Sequence, residues 1–386
     1  MDAVDIIRRH ISEMRISQAE ISHLTKLSYG TINRVLNKKQ PLKTNTLILI
    51  AEALHLPFYQ LIDNQSPEIM ESNIQGYIEY NGVITKISSF NSLQKLYEQI
   101  EYETKVLPKE VKELKALNKE KKAEIRKNHP NRDFQFILDW DFVGEYDAER
   151  YDIWAFKTAY DEKDGIRIDL GNQCGGYPFV MNGYEFPMSE QAYLCGQFSL
   201  NTEECIRVQH QLYNERSGLS AKKYIKTANT KLIRADWEQI RAEWMLYVIW
   251  HKCKNADFAK KLMSIPKDAI IIENSTTVHE ATNIIWGSIN PKLEEAREKV
   301  ALYAELKYME EMRQKKKKTN KSKLDEIRHE ARNEIHHIGT FSGGQNLMGK
   351  VLKRCQLALL NGTEPEINYD LLREKKIYLF GKLLTF

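Results

Sequence analysis

The sequence contains no C-x-x-C pair. Its five cysteines, Cys174, Cys195, Cys205, Cys253 and Cys355, are odd in number and scattered. That argues against a disulfide framework and a structural zinc site, and makes buried free thiols the expected state. No stretch approaches the roughly 18 consecutive apolar residues of a membrane helix, and the charged start MDAVDIIRRHISEMR lacks the apolar segment of a signal peptide. No membrane contact is expected, and the cytoplasm is the expected location. Charge of one sign is also scarce: 57 basic and 53 acidic residues leave a formal net charge of +4. Contact with phosphate must therefore come from a local patch rather than from the chain as a whole.

What is present suits a folded protein of several parts. A chain of 386 residues, 42% of them hydrophobic, with six Trp, 19 Tyr and 13 Phe, has the material for real cores. Wholesale disorder is excluded, and the length implies about two to three compact units.

The first 65 residues read as short helices. Ile6, Ile7, His10, Ile11 and Met14 fall at helical spacing. Ser17 precedes Glu20 by three positions, a capping box that opens a helix to about Thr25. Ser28 caps a second helix carrying Tyr29, Thr31, Asn33 and Arg34, with Ile32, Val35 and Leu36 turned inward. A third starts at Thr44 or Asn45, and Pro57 begins a final turn. This series, over residues 4 to 63, resembles the Xre/Cro-type helix-turn-helix domain. The resemblance implies an all-α DNA-binding domain at 1–65. Its reading helix, Ser28 to Leu36, would place Ser28, Tyr29, Thr31, Asn33 and Arg34 in the major groove, with Gln18, Lys38, Lys39 and Lys43 near phosphates. Eight Lys/Arg against six acids over residues 1–65 is a small surplus. A copy of the fold used for dimerisation or protein contact stays open beside the DNA reading, and a homodimer fits either.

Residues 66–131 read as a connector. GYIEYNGVITKI alternates apolar residues around Asn81-Gly82, a strong hairpin signal. SLQKLYEQIEYET comes next as a short amphipathic helix, and the charged stretch after Pro108 reads as a solvated helix leading into a linker.

After Arg132 the aromatics return, and FQFILDWDFVG and YDIWAFKTAY alternate like strands. Gly175 and Gly176 mark a tight loop, and Asn182-Gly183 a second hairpin. Ser189 is the natural N-cap of the next helix, which puts Glu190 in its first turn, where the helix dipole favours an ionised carboxylate. Taken alone, such a glutamate is more often a capping residue than a chemical one.

The surrounding motifs run in a fixed order: Tyr177-Pro178-Phe179, then P-M-S-E-Q-A-Y, R-A-D-W at 234–237, A-I-I-I-E ending at Glu273, Trp286-Gly287, and G-T-F-S-G-G-Q-N-L-M-G-K. Asp236 and Gln239 would form a capping box for the helix running to Lys252. The ordered set, spread over residues 172 to 358, resembles the NADAR (YbiA-like) family. That likeness implies an α+β, mainly α domain at 132–386 acting as an N-glycosidase or ADP-ribose-processing hydrolase. Glu190 and Glu273 would be the catalytic carboxylates, and Tyr177, Phe179, Tyr193, Trp237, Asn283, Trp286, Gly343, Gly344 and Asn346 the substrate contacts. Cleavage of a ribose C1′–N bond passes through an oxocarbenium-like cation, which a carboxylate stabilises. Glu190, with its pKa depressed at a helix start, is expected to take that part or to activate water. Gly343 and Gly344 precede a helix, where free N–H groups can meet a phosphate, and Asn346 would orient a ribose hydroxyl. Trp244 and Trp250 read as core. No metal and no cofactor is expected, since His336 and His337 have no ligand set around them.

Two departures from the family pattern stand out. Asn283 occupies the place of a common aspartate, which weakens activity or shifts its role to Glu273 or Glu280. A second departure is the insertion at 291–338, which reads as a helical hairpin with Asn290 and Pro291 as N-cap and N1. Its lysine-rich tip either grips nucleic-acid phosphates or is simply solvated.

The expected function is removal of ADP-ribose from modified guanine in DNA, an antitoxin-like reversal, with DNA and ADP-ribosylated nucleic acid as partners and an ADP-ribosyltransferase toxin as a further one. Two alternatives remain: a non-enzymatic regulator that senses ADP-ribose or a related nucleotide, and an N-glycosidase for the phosphoribosylamino pyrimidines of riboflavin synthesis.

Overall fold

The computed structural model describes residues 3–14, 16–39, 44–54, 56, 76–81, 83–128, 133–215, 217–228, 230–275 and 285–386. Lys43, the turn at Pro57, Glu280 and Asn283 lie outside them. The chain forms two compact units, Met1–Thr104 and Lys105–Phe386.

The first unit opens with α1 (Ala3–Met14), α2 (Gln18–Thr25), α3 (Tyr29–Leu36) and α4 (Thr44–Ala53). The capping box at Ser17 and Glu20 forms in both directions, and the Ser28 side chain accepts from the Thr31 N–H at 3.1 Å. Between α2 and α3, Lys26 adopts a left-handed conformation at φ 57, which turns the chain in three residues. Ile7, Ile21, Ile32, Val35 and Ile50 from the four helices share one core. Next come β1 (Gly76–Tyr80) and β2 (Val83–Ile87), paired antiparallel, and α5 (Phe90–Glu101), capped by Ser89.

The second unit is mainly helical with short strands. It begins with α6 (Leu107–Asn128), whose Leu107, Val111, Asn118 and Ile125 are buried. That helix is therefore a packed element: Asn118 accepts from the backbone N–H groups of His336 (2.9 Å) and His337 (2.8 Å). The next strands are β3 (Tyr146–Asp147), β4 (Ile153–Phe156), β5 (Glu162–Lys163), β6 (Ile166–Arg167), β7 (Phe179–Met181) and β8 (Tyr184–Phe186). After them come α7 (Ser189–Gln197), α8 (Glu203–Asn214), α9 (Gly218–Ala228), α10 (Trp237–Lys252), α11 (Ala256–Ser264) and β9 (Ile270–Glu273). The last elements are α12 (Pro291–Gln314), α13 (Lys321–Arg332), β10 (Thr340–Phe341), α14 (Leu347–Asn361), α15 (Tyr369–Glu374), β11 (Tyr378–Leu379) and β12 (Lys382–Leu383).

Two expected strands differ from the reading of their aromatics. Gln135–Leu138, inside FQFILDWDFVG, is a short 3-10 helix. In β4 all four residues are buried, not alternate ones. The reason is its partner: β4 pairs parallel with β9, Ile153 opposite Ile270 through Phe156 opposite Glu273, and a parallel pair is covered on both faces. The β7–β8 hairpin turns at Asn182 (φ 52) and Gly183 (φ 84), as the Asn-Gly signal predicts.

The core of this unit gathers Trp154, Phe156, Phe186, Phe198, Trp244 and Ile271 around α7, α10 and α14. Helix α7 is enclosed on nearly every side, with Ser189 to Gly196 all buried. Gly196 lets it approach α10, because a Cβ there would stand 2.1 Å from Trp244 Nε1. The same indole N–H lies 3.2 Å from the carbonyl of Tyr193. Gly196→Ala should therefore cost about 1–3 kcal/mol through overpacking, read as a lowered denaturation midpoint; an unchanged midpoint would show that the α7–α10 contact tolerates the methyl group.

Candidate active site

Strand β9 ends at Glu273, and partners from α14 and from the turn at Gly287 fix that end tightly. Asn346, the left-handed N-cap residue of α14 (φ 51), turns its amide onto β9. Its Nδ2 donates to the Ile271 carbonyl at 2.9 Å, and its Oδ1 accepts from the Glu273 N–H at 3.1 Å. Asn346 also donates its own N–H to the Gly287 carbonyl at 3.1 Å. With both amide ends engaged, Asn346 holds Glu273 in place, which corrects its expected role on a ribose hydroxyl. Gly287 completes the clamp: a Cβ there would lie 2.5 Å from the Glu273 carbonyl, and the next residue, Ser288, donates its N–H to that oxygen at 2.9 Å. The Trp-Gly pair is thus a close-approach site that delivers Trp286 beside the strand end.

Glu190 comes from the start of α7. Ser189 is the expected N-cap, yet the cap position falls on Met188, which makes no side-chain capping bond. The loop supplies the acceptor instead, since the Glu190 N–H donates to the Asn172 carbonyl at 3.0 Å. Ser189 Oγ faces inward, 3.3 Å from the same carbonyl and 3.3 Å from Lys252 Nζ. Lys252 is fully buried, and burial brings its pKa down to about 8.

The two glutamates meet through a lysine that sequence reasoning does not single out. Lys222 Nζ on α9 lies 3.3 Å from Glu190 Oε1, and its side chain is 45% exposed, so it stands where the site opens to solvent. Gly218, one turn earlier, allows this approach: a Cβ there would meet Gln173 at 2.9 Å and Glu190 at 3.1 Å. A glycine four residues before a lysine puts both on one helix face, but nothing in SGLSAKKYIKT separates Lys222 from its neighbours.

Electrostatics differentiate the carboxylates. Burial raises the Glu190 pKa, opposed by Lys222 in direct contact. This corrects the depressed pKa expected from the helix start, because desolvation outweighs the dipole. Burial pushes Glu273 up to about 7; Lys222 opposes this, and the charge on Glu190 adds to it.

An aromatic cluster adjoins them. Tyr193 lies 5.1 Å from Trp237 and 5.1 Å from Trp286, the latter edge-on, ring centre to ring centre. Burial, with the Glu190 charge beside it, holds the Tyr193 hydroxyl protonated. Tyr177 and Phe179 pack elsewhere in the core. Tyr177 donates to Asp169 at 2.8 Å and meets Phe258 edge-on, while Phe179 stacks on Phe186 at 5.8 Å. Gly343 is exposed with φ 73, and Gly344 is buried beside it at the entry to α14. Asp236 does not form its expected capping box, because its carboxylate binds Arg234 at 2.6 and 3.0 Å.

In the first unit, Ser28, Tyr29 and Arg34 are exposed, while Gln18, Thr31 and Asn33 are half-buried. Lys38, expected at a phosphate, is ion-paired with Asp5 at 2.9 Å.

No family model matches the sequence, and no curated protein is significantly similar to it. Among solved structures, the chain is similar to the NMR structure of the E. coli protein YbiA, at 18% identity and a TM-score of 0.28, over 44% of this chain and 91% of that one. Likeness at this level leaves the functional reading to the residues themselves. Among the described residues no helix is long and apolar enough to cross a membrane.

The raised Glu273 pKa has a stability consequence. Between its ordinary value of 4.5 and about 7, the folded chain holds a proton that the unfolded chain releases. Stability therefore falls as pH rises through that window. Glu273→Gln should flatten this slope, measured as urea midpoints at the two ends of the window; an unchanged slope would mean that Glu273 ionises freely.

Proposed function

We propose that the chain is an N-glycosidase that releases ADP-ribose from modified guanine in DNA. The observation that carries this reading is the convergence of Glu190 and Glu273 on Lys222, beside the Tyr193, Trp237 and Trp286 rings. The ordered motifs that resemble the NADAR family agree with it.

The chemistry comes from the unequal environments. Glu190, with Lys222 against it, carries the negative charge and stabilises the cation that grows at C1′ as the C1′–N bond breaks. Glu273, protonated up to about pH 7, gives its proton to the departing base nitrogen. Water then bonds to C1′, and its proton passes to the Glu273 carboxylate, which restores the starting state. The aromatic rings offer a face for base or ribose stacking, and the turn at Gly343 and Gly344 suits a diphosphate. Asn346 acts behind Glu273 as a positioning residue.

In this reading the helices α2 and α3 bring the enzyme to DNA, with Ser28, Tyr29, Thr31, Asn33 and Arg34 toward the bases. The substrate would be made by an ADP-ribosyltransferase, the toxin partner that this activity reverses. Arg34→Ala should weaken operator binding by about 1–3 kcal/mol, measured by gel shift at fixed salt; undiminished affinity would remove α3 from the groove.

The direct test is incubation with guanine-ADP-ribosylated DNA. ADP-ribose release is expected, with kcat/KM falling above about pH 7 as Glu273 loses its proton, and Glu190→Gln should lower kcat by about 10²–10³-fold. A second reading, a regulator that senses ADP-ribose, is favoured by Asn283 in place of an aspartate. No release, together with an ADP-ribose-dependent shift of a promoter fragment, would establish that reading instead. Turnover only of phosphoribosylamino pyrimidines would move the activity to riboflavin-type intermediates.

A further inference from the structure

We propose that α12 and α13 form a rigid arm whose lysine tip binds the phosphate backbone of the duplex that carries the substrate, about one helical turn along from the point where the arm is rooted. This rests on the glycosidase reading of the site.

The arm is rooted at the candidate site. Asn274, immediately after Glu273, donates its Nδ2 to Glu294 of α12 at 2.8 Å. Arg332 of α13 holds the other oxygen of Glu294 at 2.7 Å. From there an ion-pair ladder climbs the two helices: Arg332 also binds Glu298, and Arg328 bridges Glu298 at 2.7 Å and Glu305. Arg297 ties the base down by donating to the Ile335 carbonyl at 2.9 Å. Networked, partly buried pairs of this kind stiffen a helix pair more than isolated surface pairs do.

The arm's length can be read from α12. Its 24 residues, at 1.5 Å each, carry the chain about 36 Å from its base. Successive turns of duplex DNA repeat at about 34–36 Å. A duplex held with its modified base near Glu273 could thus meet the tip one turn further along.

The tip has the composition for phosphate and little else. Positions 313–323 hold seven basic and no acidic residues, and no apolar residue lies among them. Arg313, Lys315 and Lys323 fold back onto Glu310, Glu311 and Glu326 of the helices. Lys316, Lys317, Lys318 and Lys321 are exposed, and no acidic partner stands against them among the described residues. A protein or bilayer partner that docks by burying apolar surface would find none here, whereas phosphate needs only the charge. The acids that interleave with the basic residues lower down the arm are absent from its end.

The test uses the full chain with K316Q, K317Q, K318Q and K321Q combined. Binding of an unmodified duplex of two to three turns is measured across salt concentrations, and kcat/KM is measured on an ADP-ribosylated duplex and on an ADP-ribosylated guanine nucleoside. The expected result is weaker duplex binding, a salt slope reduced by about 3 to 4, lower kcat/KM on the duplex, and unchanged turnover of the nucleoside. Unchanged duplex affinity and salt slope would overturn the proposal. So would retained duplex binding with lost binding to anionic phospholipid vesicles, which would assign the tip to a membrane surface. If neither substrate is turned over by any form of the chain, the glycosidase reading fails, while the duplex-binding measurement still decides the arm.

Discussion

A buried carboxylate, Glu190, and a half-buried one, Glu273, share one cation unequally, and much of the candidate site depends on that inequality. Burying a carboxylate disfavours its charged form, and a like charge nearby adds to the effect. Lys222 touches Glu190 at 3.3 Å. Glu273 is left with the opposing influence of the same lysine at longer range and the repulsion of Glu190, and its pKa rises to about 7. Burial thus raises both carboxylates, Glu190 with Lys222 in contact and Glu273 to about 7.

Holding that arrangement is mostly backbone work. The end of a strand has N–H and C=O groups that must find partners when buried. At β9 they find them in Asn346 and Ser288, with Gly287 allowing the close approach. On the other side, α7 is held by buried polar groups as well as by apolar packing. Gln191 donates to the carbonyls of Tyr213 at 3.1 Å and Glu215 at 2.6 Å, which fastens the α8–α9 connection to the helix that carries Glu190. Since α9 begins just beyond that connection, the same bonds help set where Lys222 stands.

The small net charge conceals two opposite uses of lysine. Lys350 is fully buried on α14 and gives its three N–H groups to the carbonyls of Asp139, Trp140 and Phe142 at 2.7, 3.0 and 2.8 Å. Lys353, one turn later, donates to those of Lys267 and Ala269. Both serve as internal caps for loop carbonyls, and burial lowers each to about pKa 8. The lysines of the α12–α13 tip stand at the other extreme, exposed and concentrated. Total charge says nothing of this division, because burial depends on the fold.

Features governed by neighbours in the chain were legible from the sequence. Ser17 with Glu20, Ser28, and Asn290 before Pro291 act as caps, since a cap is satisfied by the next three residues. Asn182-Gly183 makes its hairpin because the turn requires positive φ at those positions. The mainly helical class with short strands comes from the same local rules. Where a competing partner came from far along the chain, local rules failed: Asn172 displaced Ser189 from its capping role, Arg234 took the Asp236 carboxylate, and Asn118 drew a charged helix into the second unit. Motif order singled out Glu190, Tyr193, Trp237, Glu273 and Trp286, but the approach of the two glutamates to Lys222, the clustering of the three rings, and the pKa values raised by burial were decided by tertiary structure alone. Desolvation and charge proximity are properties of assembled space, and neither can be read from the spacing of residues along a chain.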